Sequence, residues 1–172
     1  MLIRAERPSD IDAIHGLTVR AFTDMPYSQG TEASIIRLLR QSGDLALSLV
    51  AEEDGAVIGH IAFSPIRIDG AHGNWFGLGP ISVEPARQRS GIGKALIESG
   101  LEILKTQGAA GVALIGDPDV YRSSGFASDG RLTYKGLETG YVQRILFSGP
   151  DPEGEPHFSG AFERATKPPA PA

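Results

Sequence analysis

"VEPARQRSGIGKALIESG", residues 83–100, is the stretch that decides how this chain is read. Two glycines flank Ile92, Lys94 follows, and Arg87 and Arg89 stand just upstream. Such a composition suits a loop that opens a helix onto a phosphate. Unpaired N–H groups at a helix start, together with the helix dipole, favour an anion. Gly91 and Gly93 let phosphate oxygens approach the amides of Arg89, Ser90, Gly91, Ile92, Gly93 and Lys94 without a Cβ in the way. The plainer alternative is a solvated helix start whose glycines only permit tight packing on a strand.

Two familiar phosphate loops fail on residue type. A Walker A loop needs a glycine five positions before Gly93, where Gln88 stands, and a Ser or Thr after the lysine, where Ala95 stands. A Rossmann fingerprint begun at Gly91 meets Leu96 at its third small position, and antiparallel strands precede it rather than an opening βαβ unit.

Outward from the loop, "LGPISVEP" reads as a strand, residues 91–108 as an amphipathic helix and "GVALIGD" as the next strand. That order is one strand–helix–strand crossover. Ile92, Ala95, Leu96, Ser99 and Ile103 form one side of the helix, and Ile97, Leu101 and Leu104 widen its apolar stripe. Pro80 lies inside the preceding strand with no N–H for a ladder bond, which predicts an edge, a bulge or an interrupted pairing.

Towards the N-terminus, "LIRAERP" predicts a first strand, and Ser9 with Asp12 a capping box that opens a helix bearing Ile11, Ile14, Leu17 and Ala21. Residues 21–31 break the pattern, and a second helix runs from Thr31 to a stop at Gly43. Asp54-Gly55 predicts a hairpin between "LALSLVAEE" and "AVIGHIAFSPIRI", and Asp69-Gly70 ends the second strand. Beyond the crossover, Asp117-Pro118 predicts a capped helical turn, Asp129-Gly130 a turn, and "RLTYKG" and "YVQRILF" strands. The fold class is therefore α/β (α+β): one domain over residues 1–148 with a central mixed, mostly antiparallel sheet flanked by helices. Residues 149–172 read as a Pro- and Gly-rich tail ending in "TKPPAPA", for which disorder is expected.

Composition narrows the function. The 172 residues suit a single hydrophobic core, and no apolar run approaches a membrane span. A net charge of −5 argues against a general nucleic-acid binder, while Arg87, Arg89 and Lys94 gather positive charge locally for a small anion. Without cysteine there is neither a disulfide nor a thiolate metal site, and His15, His60, His72 and His157 lack zinc-ligand spacing. No metal is expected. The N-terminus shows no apolar signal region, so a cytoplasmic location is expected.

Gln88, Gly91 and Gly93 spell Gln-x-x-Gly-x-Gly, which resembles the coenzyme A loop of the GNAT acyltransferase superfamily. "YRSSGF" resembles the family's Tyr-x-x-x-Gly-Phe segment, with Tyr121 leading and Gly125-Phe126 closing. The resemblance is specific from about residue 78 to 126 and only topological before that. It implies a GNAT-like fold whose crossover forms the coenzyme site. It implies transfer of an acetyl group from acetyl-CoA, as cosubstrate, to a primary amine of a small molecule or protein. It further implies a gap beside the Pro80 strand where Ile81, Ser82 and Val83 pair with the pantetheine arm, as a strand pairs with a peptide. The loop residues Gln88 to Lys94 would hold the coenzyme, and the amide of Ile81 or Val83 would polarise the thioester. Tyr121 takes the position of the general acid, against the alternative of a tyrosine packing on Phe126. Single-domain members of the family often pair, so a homodimer is among the expectations. The base stays open among Glu52, Glu53, His60, Glu84 and a chain of waters, and Asp24 and Glu32 could border the acceptor side. A catalytically silent acyl-CoA-binding sensor or interaction module would use the same cleft.

Overall fold

Asp54 and Gly55 both adopt positive φ (52° and 80°), the geometry of a tight hairpin turn. The turn joins β2 (Leu47–Glu53) to β3 (Ala56–Ile68) antiparallel, and this hairpin is the centre from which the sheet grows. The computed structural model describes residues 1–69 and 73–166. Gly70, His72 and the last six residues of "TKPPAPA" lie outside the described residues.

β1 (Leu2–Ala5) pairs antiparallel with β2, and β4 (Trp75–Val83) pairs antiparallel with β3. Helix α3 (Ile92–Thr106) then carries the chain over to β5 (Gly111–Ile115), parallel to β4, and β6 (Val142–Leu146) closes antiparallel on β5. The sheet order β1-β2-β3-β4-β5-β6 is the expected mixed, mostly antiparallel arrangement with one crossover. Helices α1 (Ile11–Phe22) and α2 (Glu32–Ser42) cover one face, where Ile14 and Ile36 meet Val50. α3 covers the other, over Leu49, Ile61 and Phe63.

α3 sits on the sheet along a row at four-residue spacing, Ile92, Leu96, Gly100 and Leu104, widened by Ile97 and Leu101. The side expected through Ala95, Ser99 and Ile103 is only half-buried. Gly100 explains the rotation. A Cβ there would lie 2.3 Å from Phe63 Cε2, so the missing side chain is what lets the helix seat on the Phe63 ring.

The N-terminal capping differs from expectation. Pro8–Asp10 forms a 3-10 turn, so Ser9 lies inside the turn and caps nothing. Instead the Asp10 carboxylate accepts from the Arg7 N–H at 2.7 Å and pairs with Arg4 at 2.7 Å, while Arg4 also reaches Glu52 at 2.6 Å. Pro8 sets the turn two residues earlier and brings Asp10, rather than Asp12, to the reaching position.

"RLTYKG" is not a strand either. Leu132 makes one parallel bridge to Gly154 and is buried, and Lys135 and Gly136 both turn back at positive φ. The segment after Ser148 packs on the domain. β7 (Pro156–His157) pairs with β3, and α5 (Ala161–Arg164) buries Ala161 against Ile35 and Leu39 of α2.

The feature that positions the site is a double irregularity in β4. Ile81 pairs with Ile61 and Leu78 with Phe63, so Gly79 and Pro80 together face Ala62 as a bulge. Pairing with β5 runs only from Trp75 to Gly77. From Leu78 to Val83 the two parallel strands part, as Pro80 predicts.

Gly100→Ala should lower stability by about 1–3 kcal/mol through overpacking on Phe63, despite a helix-propensity gain of about 1 kcal/mol. A urea midpoint equal to or above that of the parent protein would show that the ring moves aside freely.

Candidate active site

Beside the open edge of β4 lies a cavity of about 200 Å³ bounded by Ile81, Val83, Gly93, Lys94, Ile97 and, from the turn that follows β5, Tyr121. Each side chain arrives there for a local reason. The Glu84 N–H donates to the Ile58 carbonyl at 2.9 Å, which fixes the phase of the β3–β4 ladder. Backbone groups alternate in an antiparallel strand, so Ser82 also faces β3, while Ile81 and Val83 turn theirs to the open edge. The Val83 carbonyl accepts from Gln88 Nε2 at 3.2 Å, and this bond folds the loop back over the strand end. Ser82 looks the other way. Its buried hydroxyl donates to Thr18 Oγ1 of α1 at 3.4 Å.

The loop itself is a concave run of donors. Arg89 and Gly91 take positive φ (61° and 90°), and the first bond of α3, Ala95 N–H to the Gly91 carbonyl at 3.0 Å, closes above them. Among the described residues no group accepts from the amides of Arg89 through Lys94. Such a nest at a helix N-terminus binds anions. The two glycines serve different ends. At Gly91 a Cβ would meet nothing, and the demand is the left-handed backbone. At Gly93 a Cβ would stand 3.7 Å from Val83 and 3.9 Å from Ile81, inside the gap itself. The Ile92 side chain is buried in the core, so only its amide faces the loop. Arg89, Ser90 and Lys94 are exposed, Lys94 lies 3.8 Å from Glu98, and Arg87 is paired with Glu53.

Tyr121 is held at the opposite wall. Asp117 caps α4 (Pro118–Tyr121) by accepting from the Asp119 N–H at 2.9 Å, and Pro118 pre-sets the first helical position. The ring stands edge-on to Phe126 at 6.1 Å and lies against Gly116, where a Cβ would come within 2.6 Å of it. Burial, and secondarily the Asp117 charge, push the phenol above its usual pKa of 10.0, so it keeps its proton at neutral pH. Packing on Phe126 and facing the cavity are thus both true of this residue.

The candidate bases stand elsewhere. Glu52 is bound to Arg4, Glu53 to Arg87 and Glu84 to Arg20 at 2.9 Å. His60 is fully buried on β3, 2.8 Å from the Ser48 hydroxyl, and burial helped by the Arg40 charge depresses its pKa to about 3. Asp24 and Glu32 do not line the cavity, but Phe22 and Met25 of the same segment do, as do Val120 and Ser124. Asp24 and Glu32 are not what marks that segment as a wall of the cavity. Its useful signal was Phe22 and Met25, three residues apart, continuing the apolar side of α1 beyond Ala21. Among the described residues no three His, Asp or Glu side chains cluster as metal ligands, and no helix is long and apolar enough to cross a membrane.

Comparison with known proteins agrees with this geometry. The profile of the Acetyltransferase (GNAT) family matches residues 11–127. The Escherichia coli K12 protein YhbS, described as an uncharacterized N-acetyltransferase, is 36% identical over 151 residues, covering 84% of this chain and 87% of YhbS. A GNAT family acetyltransferase from Brucella melitensis, solved in complex with acetyl-CoA, superposes with a TM-score of 0.83 at 45% identity, covering 94% of this chain and 97% of that one. The structure of Escherichia coli YhbS in complex with CoA superposes at 0.85 with 32% identity, covering 95% and 92%. The chain belongs to the GNAT acetyltransferase family and is an acyltransferase.

His60 supplies a stability prediction. Its folded pKa of about 3 lies below the unfolded value of roughly 6.5. The unfolded chain therefore binds the extra proton first, so stability present above pH 6.5 is lost as pH falls towards 3. Between pH 7 and 5 this amounts to about 2 kcal/mol, read from denaturant midpoints. His60→Gln should flatten that slope, and an unaltered slope in the folded variant would assign the loss to other groups.

Proposed function

We propose that this GNAT-family chain moves an acetyl group from acetyl-CoA to a primary amine in the cleft between β4 and β5. The observation that carries the reading is the open edge of Ile81 and Val83, flanked by the unpaired loop amides and faced by Tyr121. The amides of Arg89 to Lys94 receive the pyrophosphate, with Lys94 adding charge. Ile81 and Val83 offer backbone donors and acceptors to the two amides of the pantetheine arm, as to an added strand. Ser82 enters this scheme only by spacing its neighbours, since its own groups face β3 and α1. One of the Ile81 and Val83 N–H groups polarises the thioester carbonyl, and Tyr121 gives the departing thiolate a proton. The related Brucella protein's complex with acetyl-CoA and that of YhbS with CoA support this choice of cosubstrate.

Gly93→Ala separates cofactor binding from folding. Its methyl group meets Ile81 and Val83 at ordinary contact distance and favours the helix, yet it occupies the gap. Thermal stability should hold or rise while calorimetry shows acetyl-CoA affinity weakened by about tenfold or more, roughly 1.4 kcal/mol. Native affinity in this variant would move the arm elsewhere.

Tyr121→Phe keeps the ring against Gly116 and Phe126 but removes the proton. Loss of a general acid costs about 10²- to 10⁴-fold in rate, so kcat should fall that far with acetyl-CoA affinity near native. The deficit should shrink with an acyl donor whose thiol is more acidic. A kcat within about twofold of the parent protein, with chemistry limiting, makes Tyr121 a wall of the cleft. An acyl-CoA-binding module without turnover is told apart by free-thiol release, which it would not produce with any amine.

A further inference from the structure

The cleft has an electrostatic character that bears on the acceptor. Among the described residues its one charged side chain is the ammonium of Lys94, whose nearest carboxylate is the exposed Glu98 at 3.8 Å. Its other polar side chains, Gln88, Tyr121 and Ser124, carry no negative charge at neutral pH. Two of the carboxylates weighed as bases, Glu84 and Glu53, are committed to arginines. Glu84, directly after Val83, is held by Arg20 through two hydrogen bonds of 2.9 and 3.1 Å. Glu53 is held by Arg87, and both pairings keep these carboxylates below their usual pKa and so weaken them as bases. The His60 imidazole faces Ser48, away from the cavity lining. The outer wall is apolar, formed by Phe22, Met25 and Val120.

With Lys94 engaged by the coenzyme phosphates, such a site has no carboxylate or imidazole on its described walls to receive an arriving ammonium or to deprotonate one. A cation without a partner is also costly to desolvate against apolar side chains. We propose, resting on the acetyltransferase reading above, that the acceptor is a weakly basic amine with an apolar body, one already largely neutral at working pH. An α-amino group next to a carbonyl, or an arylamine, has this chemistry, whereas a lysine-type alkylamine does not. The amine nitrogen attacks the thioester carbon, the C–N bond forms and the C–S bond breaks with its electron pair on sulfur. Tyr121 delivers a proton to that sulfur, the nitrogen releases one to solvent, and solvent restores the phenol. One proton moves in net from nitrogen to sulfur.

Magnitudes give the test its size. At pH 7 an α-amino group of pKa near 8 is roughly one-tenth neutral, and an alkylamine near 10.4 is about one part in 2,500. Leucine amide and 3-methylbutylamine present the same branched chain and differ chiefly in this basicity. With the full chain, acetyl-CoA and a thiol reagent, kcat/KM at pH 7 should favour leucine amide by on the order of 10²-fold, less whatever greater nucleophilicity returns to the alkylamine. The alkylamine's kcat/KM should climb about tenfold per pH unit from 7 to 9, closing the gap. Equal or better use of 3-methylbutylamine at pH 7, or a flat profile for it, overturns the inference by revealing a base or a counter-charge in the cleft. Thiol release with neither of these amines nor an arylamine, from protein that binds acetyl-CoA in calorimetry, instead removes the transferase reading on which it rests.

Discussion

The loss of β4–β5 pairing beyond Gly77 and Ala113 is the constraint on which the rest of the molecule depends. A parallel pair that continued along β4 would satisfy the backbone groups of Ile81 and Val83 and leave no cleft. The bulge at Gly79 and Pro80 turns the second half of β4 away while keeping it bonded to β3. The strand is thus bonded to β3 on one edge and open on the other, save for the Gln88 bond to the Val83 carbonyl. Buried backbone groups are nearly always paired, and an unmet one costs about 1–3 kcal/mol. An edge that ends in a cavity therefore stays favourable only while water or a ligand meets it. Binding energy is available there without any rearrangement of the sheet.

The loop before α3 has its charge arranged sparingly. Arg87 is neutralised by Glu53, and Lys94 has only a distant, exposed partner in Glu98. Arg89 and Lys94 remain as exposed cations, so an anion there would meet the aligned amides together with these two side chains. Amide donors do not lengthen, swing or exchange partners as lysines do, so they fix an anion's place as well as its sign. The Gln88 bond to the Val83 carbonyl ties that nest to the end of the open edge. In the proposed complex, phosphate position and strand position are coupled through this one side chain.

Much of this was legible in the sequence, and the failures have physical causes. Asp54-Gly55 and Gly91 are strong because positive φ suits few residues, Gly93 because its missing Cβ keeps the gap open, and Pro80 because it has no N–H for a ladder bond. Asp117-Pro118 is legible because an acceptor side chain and a fixed φ both suit a helix start. The face of α3 was misjudged because hydrophobicity alone ranks Ala95 and Ile103 above Gly100, whereas Phe63, distant in sequence, makes the glycine the contact point. The turn at Pro8–Asp10 went unread because Ser9 and Asp12 fit the capping spacing, and the tertiary pull of Arg4 on Asp10 is invisible locally. "RLTYKG" alternates like a strand, yet Leu132 is drawn into the core as a single anchor whose one bridge is to Gly154. Ser82 was grouped with Ile81 and Val83 by position, but alternation along a strand makes every second residue face away.

The general-acid role proposed for Tyr121 must reconcile two demands that conflict in water. A phenol is a weaker acid than a thiol by roughly 1.5 units, so handing its proton to a thiolate is uphill in bulk solvent. Burial and the Asp117 charge raise the phenol further, which widens that gap if considered alone. The departing sulfur, however, would develop its charge against Ile81, Val83 and Ile97, walls that desolvate an anion just as strongly. Desolvation lifts the thiol and the phenol together, so their difference need not grow. In the proposed reaction, burial keeps the proton on the phenol until the C–S bond breaks. The neighbouring walls then decide how far it moves, from a strong hydrogen bond to a completed transfer.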